Sequence, residues 1–185
     1  MGLLRDIRMA LPAFLIVAAA LGVLPGMNAQ ASANPCKRYG DVRVQNISAK
    51  HARSAVICLI NRERNDHGKH DLDRNTRLNE AARNHSGRMA DKRCFSHRCR
   101  GERVLLGRLQ NVGYITGGLT RWAYGENIAY GDDTLGTPRR VVNAWMHSSG
   151  HRANVLSGTF RDVGVGFARR GDRGYYTADF GLRVG

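Results

Sequence analysis

Four cysteines, Cys36, Cys58, Cys94 and Cys99, all lie downstream of an apolar N-terminal segment, and the two features together limit the compartment and the architecture open to this chain. The segment carries Arg5 and Arg8, an apolar run from Met9 to Leu24, then Pro25-Gly26 and the small-residue string Ala29-Gln-Ala-Ser-Ala33. This is the order of a secretory signal peptide, with Ala31-Ser-Ala33 suited to cleavage before Asn34 and Ala29-Gln-Ala31 as a neighbouring alternative. The competing reading is an uncleaved anchor. The run is only marginally long enough to span a bilayer, and the Pro-Gly break favours removal. Residues 1–33 therefore read as a signal peptide and the product as exported, extracellular or periplasmic and cell-envelope associated.

An even cysteine count in an exported chain implies two disulfides, and four cysteines allow three connectivities. Cys94 and Cys99 bracket only four residues, while Cys36 sits in a polar arm, residues 34–43, that needs attachment. Cys36–Cys58 and Cys94–Cys99 are the favoured pairs. Cys94-x-x-His97-x-Cys99 also offers three soft metal ligands, but structural zinc wants a fourth ligand and reduced thiols, which an oxidising compartment does not supply.

Roughly 150 residues remain after cleavage, enough for one compact domain. The formal charge of +14 falls only to +13 on loss of two Arg and one Asp, so the surface attracts polyanions. The Arg residues are scattered through every segment, without a recognition helix or a groove with stacking aromatics, and the leader points away from nucleic acid. Anionic envelope polymers and anionic lipid headgroups are the expected partners, with no nucleic acid; a merely solvated basic face would need none. A monomer is expected.

Along the mature chain a helix is expected over about residues 44–64, ended by the turn chemistry of Asn65-Asp-His-Gly-Lys-His-Asp71. A second, over about 75–92, sets Leu78, Ala82, His85 and Met89 on one inward stripe, and His85 reads as a hydrogen-bonded core residue. A third covers 102–111. Residues 122–130 read as a strand and its exit at a Gly-Glu-Asn turn, and Pro138 starts a helix to Met146. Gly150 interrupts that helix, and a short turn carries His151 to Leu156. The chain closes with two alternating runs joined by Arg170 to Arg173, a C-terminal antiparallel β-hairpin. Helices first and strands last, without βαβ alternation, give the α+β class.

Three ordered motifs say more than composition does: Tyr124-Gly-Glu-Asn-Ile-Ala-Tyr130, then Val141-Val-Asn-Ala-Trp-Met-His-Ser-Ser-Gly-His-Arg-Ala-Asn-Val-Leu156, then Phe160-Arg-Asp-Val-Gly-Val-Gly166. Together they resemble the CAP superfamily (cysteine-rich secretory proteins, antigen 5, pathogenesis-related class 1 proteins), in its bacterial SCP-like extracellular form, over residues 44–185. The resemblance implies a three-layer α-β-α sandwich. It also implies one polar cleft lined by His97, Glu126 and His151, with Ser148 at the position where the family normally carries a second carboxylate and Asn127 bracing the site.

The missing carboxylate matters, because a hydroxyl neither supplies negative charge nor ligates a divalent ion well. His97, Glu126 and His151 still match a three-ligand set with an open fourth position, so the one cofactor implied is a divalent metal such as zinc. A hydrogen-bonded structural network is the alternative. His147 and His151 have metalloprotease spacing but no adjoining Glu. Nor is there a Gly-x-Ser-x-Gly elbow, and Ser96 and Ser148 are of the type that caps helices. The reading is a secreted binding module for an envelope ligand or, since family members have been linked to sterol and lipid binding, an apolar lipid. The alternative is a metal-dependent hydrolase acting on peptide or cell-wall substrates, and no catalytic residue is assigned.

Overall fold

The structure, a computed structural model, describes residues 34–185; the expected signal peptide lies outside the described residues. The polar arm contains a short helix, α1 (Pro35–Tyr39), which the sequence reading missed. Asn34 caps it by accepting from the Cys36 N–H, and the Cys36–Cys58 disulfide ties it to the next helix. That helix, α2 (Ala49–Asp66), starts five residues later than expected because Ser48 takes the N-cap role and accepts from the His51 N–H. Val44 lies ahead of it and is fully buried.

After the two-residue strand β1 (Asp73–Arg74) comes α3 (Thr76–Lys92), close to its expected bounds and capped by Asn75. Leu78, Ala82, His85 and Met89 are all fully buried, as the helical spacing predicts. Helix α4 (Leu105–Asn111) begins three residues late. Gly101 turns the chain at positive φ and Glu102 folds inward, so neither joins the helix.

Strand β2 (Arg121–Asp132) runs straight through Gly125-Glu126-Asn127, which is therefore mid-strand and not the expected turn. A 3-10 turn (Asp133–Gly136) leads to α5 (Pro138–Met146), as expected. Residues 149–156 form a second helix, α6 (Ser149–Leu156), where only a turn was expected. The break falls earlier, at His147 and Ser148, and Gly150 is accommodated in the first turn of α6. The hairpin follows as β3 (Asp162–Arg170) and β4 (Arg173–Val184).

The strands make one mixed sheet in the order β1-β3-β4-β2, with β1 parallel to β3 and the other neighbours antiparallel. Helix α3 covers one face; α2, α5 and α6 cover the other. This is the expected α+β, α-β-α sandwich. Strand alternation sends Val163, Val165 and Phe167 of β3, with Tyr176, Ala178 and Phe180 of β4, into the main core with α2 and α5. The opposite face carries Gly164 and Gly166, against which α3 lies so closely that a β-carbon on Gly166 would collide with the Ala82 carbonyl. The Val-Gly-Val-Gly pattern is thus a core row alternating with a helix seat.

Candidate ligand-binding cleft

The Gly125-Glu126-Asn127 motif divides its side chains between the two faces of the sheet. A β-carbon on Gly125 would stand 2.9 Å from Asn154 Oδ1 and 3.0 Å from the Phe160 ring, so glycine here lets α6 approach β2. Asn127, on that same face and fully buried, donates from Nδ2 to the His151 carbonyl at 3.0 Å and accepts from Asn154 Nδ2 at 2.9 Å. Glu126 points the other way, toward α3 and the loop closed by Cys94–Cys99.

There Glu126 meets His97, which donates from Nδ1 to Glu126 Oε1 at 2.7 Å. On the other carboxylate oxygen, Arg108 donates from Nη2 at 2.7 Å, and the same nitrogen reaches the His97 carbonyl at 3.2 Å. Burial alone would raise the pKa of Glu126. The His97 hydrogen bond, the Arg108 charge and the nearby His85 outweigh it and hold Glu126 below the usual carboxylate range. An ionised Glu126 can only accept, so the His97 proton sits on Nδ1 and Nε2 is left for a ligand. The His97 side chain is 57% exposed, while Glu126 beneath it is buried.

His151 stands in the first turn of α6, half-buried, with its pKa lowered by burial and by the charge of His97. The shift favours its neutral form and reflects its closeness to His97. Ser148 is the N-cap residue of α6, but its side chain makes no capping bond. His147, at the end of α5, is exposed and bonded through Nδ1 to the Asn143 carbonyl. Trp145 is core and donates from Nε1 to the Ile128 carbonyl.

The ligand set expected from His97, Glu126 and His151 is not assembled. Among the described residues no group of three or more His, Cys, Asp or Glu side chains is placed to hold a metal ion. The physical reason is that Glu126 already has both oxygens engaged, one by His97 and one by the Arg108 cation. Glu126 is therefore not free to serve as the third ligand expected beside His97 and His151.

Behind the cleft lies a buried network in which His85 is the hydrogen-bonded core residue expected from the sequence, while its partner Glu102 and the nearby Asp179 were not anticipated. His85, fully buried, donates from Nδ1 to Glu102 (2.9 Å), and Glu102 also accepts from the Cys99 N–H at 3.1 Å. Asp179 lies opposite Glu126 on β4 with no exposed surface, its pKa raised well above the usual range by burial and then by Glu126. Arg108 had a readable signal, since Leu105, Arg108 and Leu109 fall on one face of α4. So had Asp179, which sits in a strand buried on both faces.

Along β2, Trp122 and Tyr124 project from the same face as Glu126; they are partly exposed and their rings stack 5.7 Å apart at 13°. On the far side of Glu126, Tyr130 meets Phe95 edge-on at 4.7 Å, and both are exposed. The His97–Glu126 pair thus lies between two aromatic pairs.

The family model described as "Cysteine-rich secretory protein family" matches residues 58–180. The Bacillus subtilis protein YkwD, itself uncharacterised, is 36% identical over 118 residues, which are 63% of this chain and 42% of that protein. A crystal structure of an extracellular protein containing an SCP domain from Bacillus anthracis superposes with a TM-score of 0.61 at 28% identity, covering 71% of this chain and 40% of that one. This chain therefore spans less than half the length of either. An outer surface protein from Borrelia burgdorferi shares the fold, with a TM-score of 0.63 at 18% identity, covering 74% of this chain and 96% of that one.

Proposed function

Since this chain belongs to the cysteine-rich secretory protein family, we propose that it is an exported module that binds a glycan-bearing envelope polymer across the outer face of β2. The observation that carries the reading is the row Trp122, Tyr124, Glu126 and Tyr130, with His97 standing exposed over Glu126. Stacked aromatic rings offer flat apolar surface to the faces of sugar rings. His97 Nε2 supplies a polar contact between them, held in one orientation by Glu126. The net charge of +14 for the full chain, +13 without the leader, favours an acidic polymer and fast, salt-sensitive encounter. Export is supported by the extracellular description of the similar Bacillus anthracis protein.

Retention on purified cell-wall polymer tests this. Trp122→Ala and His97→Ala should each weaken retention by roughly tenfold, the scale of one lost stacking or charge-assisted contact, and added salt should weaken the parent as well. Retention indifferent to both substitutions, or binding confined to sterol vesicles, would count against the glycan reading.

A further inference from the structure

A cavity of about 700 Å³ opens between α3 and the segment 101–112, on the far side of Arg108 from Glu126. Arg83, Arg88 and Lys92 of α3 line one wall; Arg103 and Arg108 line the other. Two acids, Asp91 and Glu102, also line it. Glu102 is already satisfied by His85 and the Cys99 N–H, with Arg88 3.8 Å away. Five cations against two acids leave the cavity positive.

Two further features point to a ligand. Arg108 is only 7% exposed and commits Nη2 to Glu126, yet among the described residues its Nε and Nη1 have no hydrogen-bond partner. Buried guanidinium donors are costly to leave unpaired. Gly87 lies on the cavity wall within α3, where glycine costs a helix about 1 kcal/mol relative to Ala. A β-carbon there would meet no atom of the described residues within 4 Å, so their packing gives no reason for its absence.

We propose that this cavity binds a phosphate-bearing group, separately from the β2 face and whether or not that face binds glycan. Arginines on two facing walls suit the tetrahedral, many-sided oxygen shell of phosphate, whereas a planar carboxylate is satisfied by a single guanidinium fork. Gly87 leaves room for the group to lie against the helix backbone. Arg108 joins this cavity to the Glu126–His97 pair, because one guanidinium serves both.

Calorimetry with inorganic pyrophosphate, with citrate as the carboxylate comparison, tests the proposal on the intact exported domain. Pyrophosphate should bind one to one and more tightly than citrate. Arg83→Ala with Arg103→Ala, both exposed positions, should weaken it by about tenfold or more. Gly87→Leu should block it by filling the space while leaving every charge in place, with the melting temperature unchanged or raised. Vesicles containing phosphatidic acid separate two sources of the same chemistry: competition with pyrophosphate identifies a lipid headgroup, and its absence identifies a soluble phosphate. Citrate binding as well as pyrophosphate, or pyrophosphate binding that is absent or survives Gly87→Leu, would overturn the assignment.

Discussion

Glu126 and Asp179 occupy directly opposed positions of the β2–β4 ladder, which sets two buried carboxyl groups side by side on the face covered by α3. They are driven in opposite directions. Glu126 is ionised by His97 and Arg108 against the effect of burial, whereas Asp179, with no exposed surface, is held protonated by burial and by the charge of Glu126.

The folded protein therefore keeps on Asp179 a proton that the unfolded chain releases above about pH 4. This group's contribution to stability is complete below that pH and declines as pH rises toward the folded pKa. Asp179→Asn removes the dependence. Urea unfolding at a series of pH values should show the variant gaining on the parent as pH rises; parallel profiles would mean that Asp179 is ionised in the fold.

Arg108 and Glu126 form a buried ion pair, and removing one partner leaves the other charge uncompensated. Arg108→Ala should cost about 3–5 kcal/mol. Adding Glu126→Gln to that variant should recover part of the loss, which a double-mutant cycle measures directly.

Arg64 is fully buried and donates to three carbonyls, from Nε to His70 (2.8 Å) and from Nη1 to Val155 (2.7 Å) and Ser157 (2.9 Å). It fastens the end of α2 to the carbonyls that end α6. Lysine has one nitrogen where these bonds need two, so Arg64→Lys should already destabilise by about 2 kcal/mol or more. An unchanged unfolding midpoint would show the tie to be unimportant.

Gly166 seats α3 on β3, where a β-carbon would meet the Ala82 backbone. Gly166→Ala should therefore shift the helix or unfold it from the sheet, at a cost of about 2–3 kcal/mol or more. Gly171, at φ +58° in the hairpin turn with open space around it, is a useful contrast, because its substitution carries conformational strain without a collision.

What the sequence made readable was local. Period and caps placed α3 and α5 nearly to the residue, and loop size favoured the Cys94–Cys99 pair. Non-local packing was not readable. Gly125-Glu126-Asn127 has the composition of a turn, and only the approach of Asn154 and Phe160 explains a glycine in mid-strand. Residues 149–156 begin with Ser149-Gly150, weak local evidence for helix, and are held by contacts to β2 from Asn154 and by Val155 in the core. His97 and Glu126 were grouped by family resemblance, but Arg108, which decides the chemistry of the pair, comes from a helix that no motif connects to them.

Among the described residues strand β2 lies at the margin of the sheet, paired on one side only, and its outward carbonyls would ordinarily invite another chain to add a strand. Two of them are already taken: Trp145 donates to the Ile128 carbonyl and Asn154 to that of Glu126. The helices behind the cleft therefore also act as a guard against polymerisation. A lesion at Trp145 or Asn154 would expose its cost at high protein concentration, as fibrous self-association seeded along β2, even where the folded domain survived.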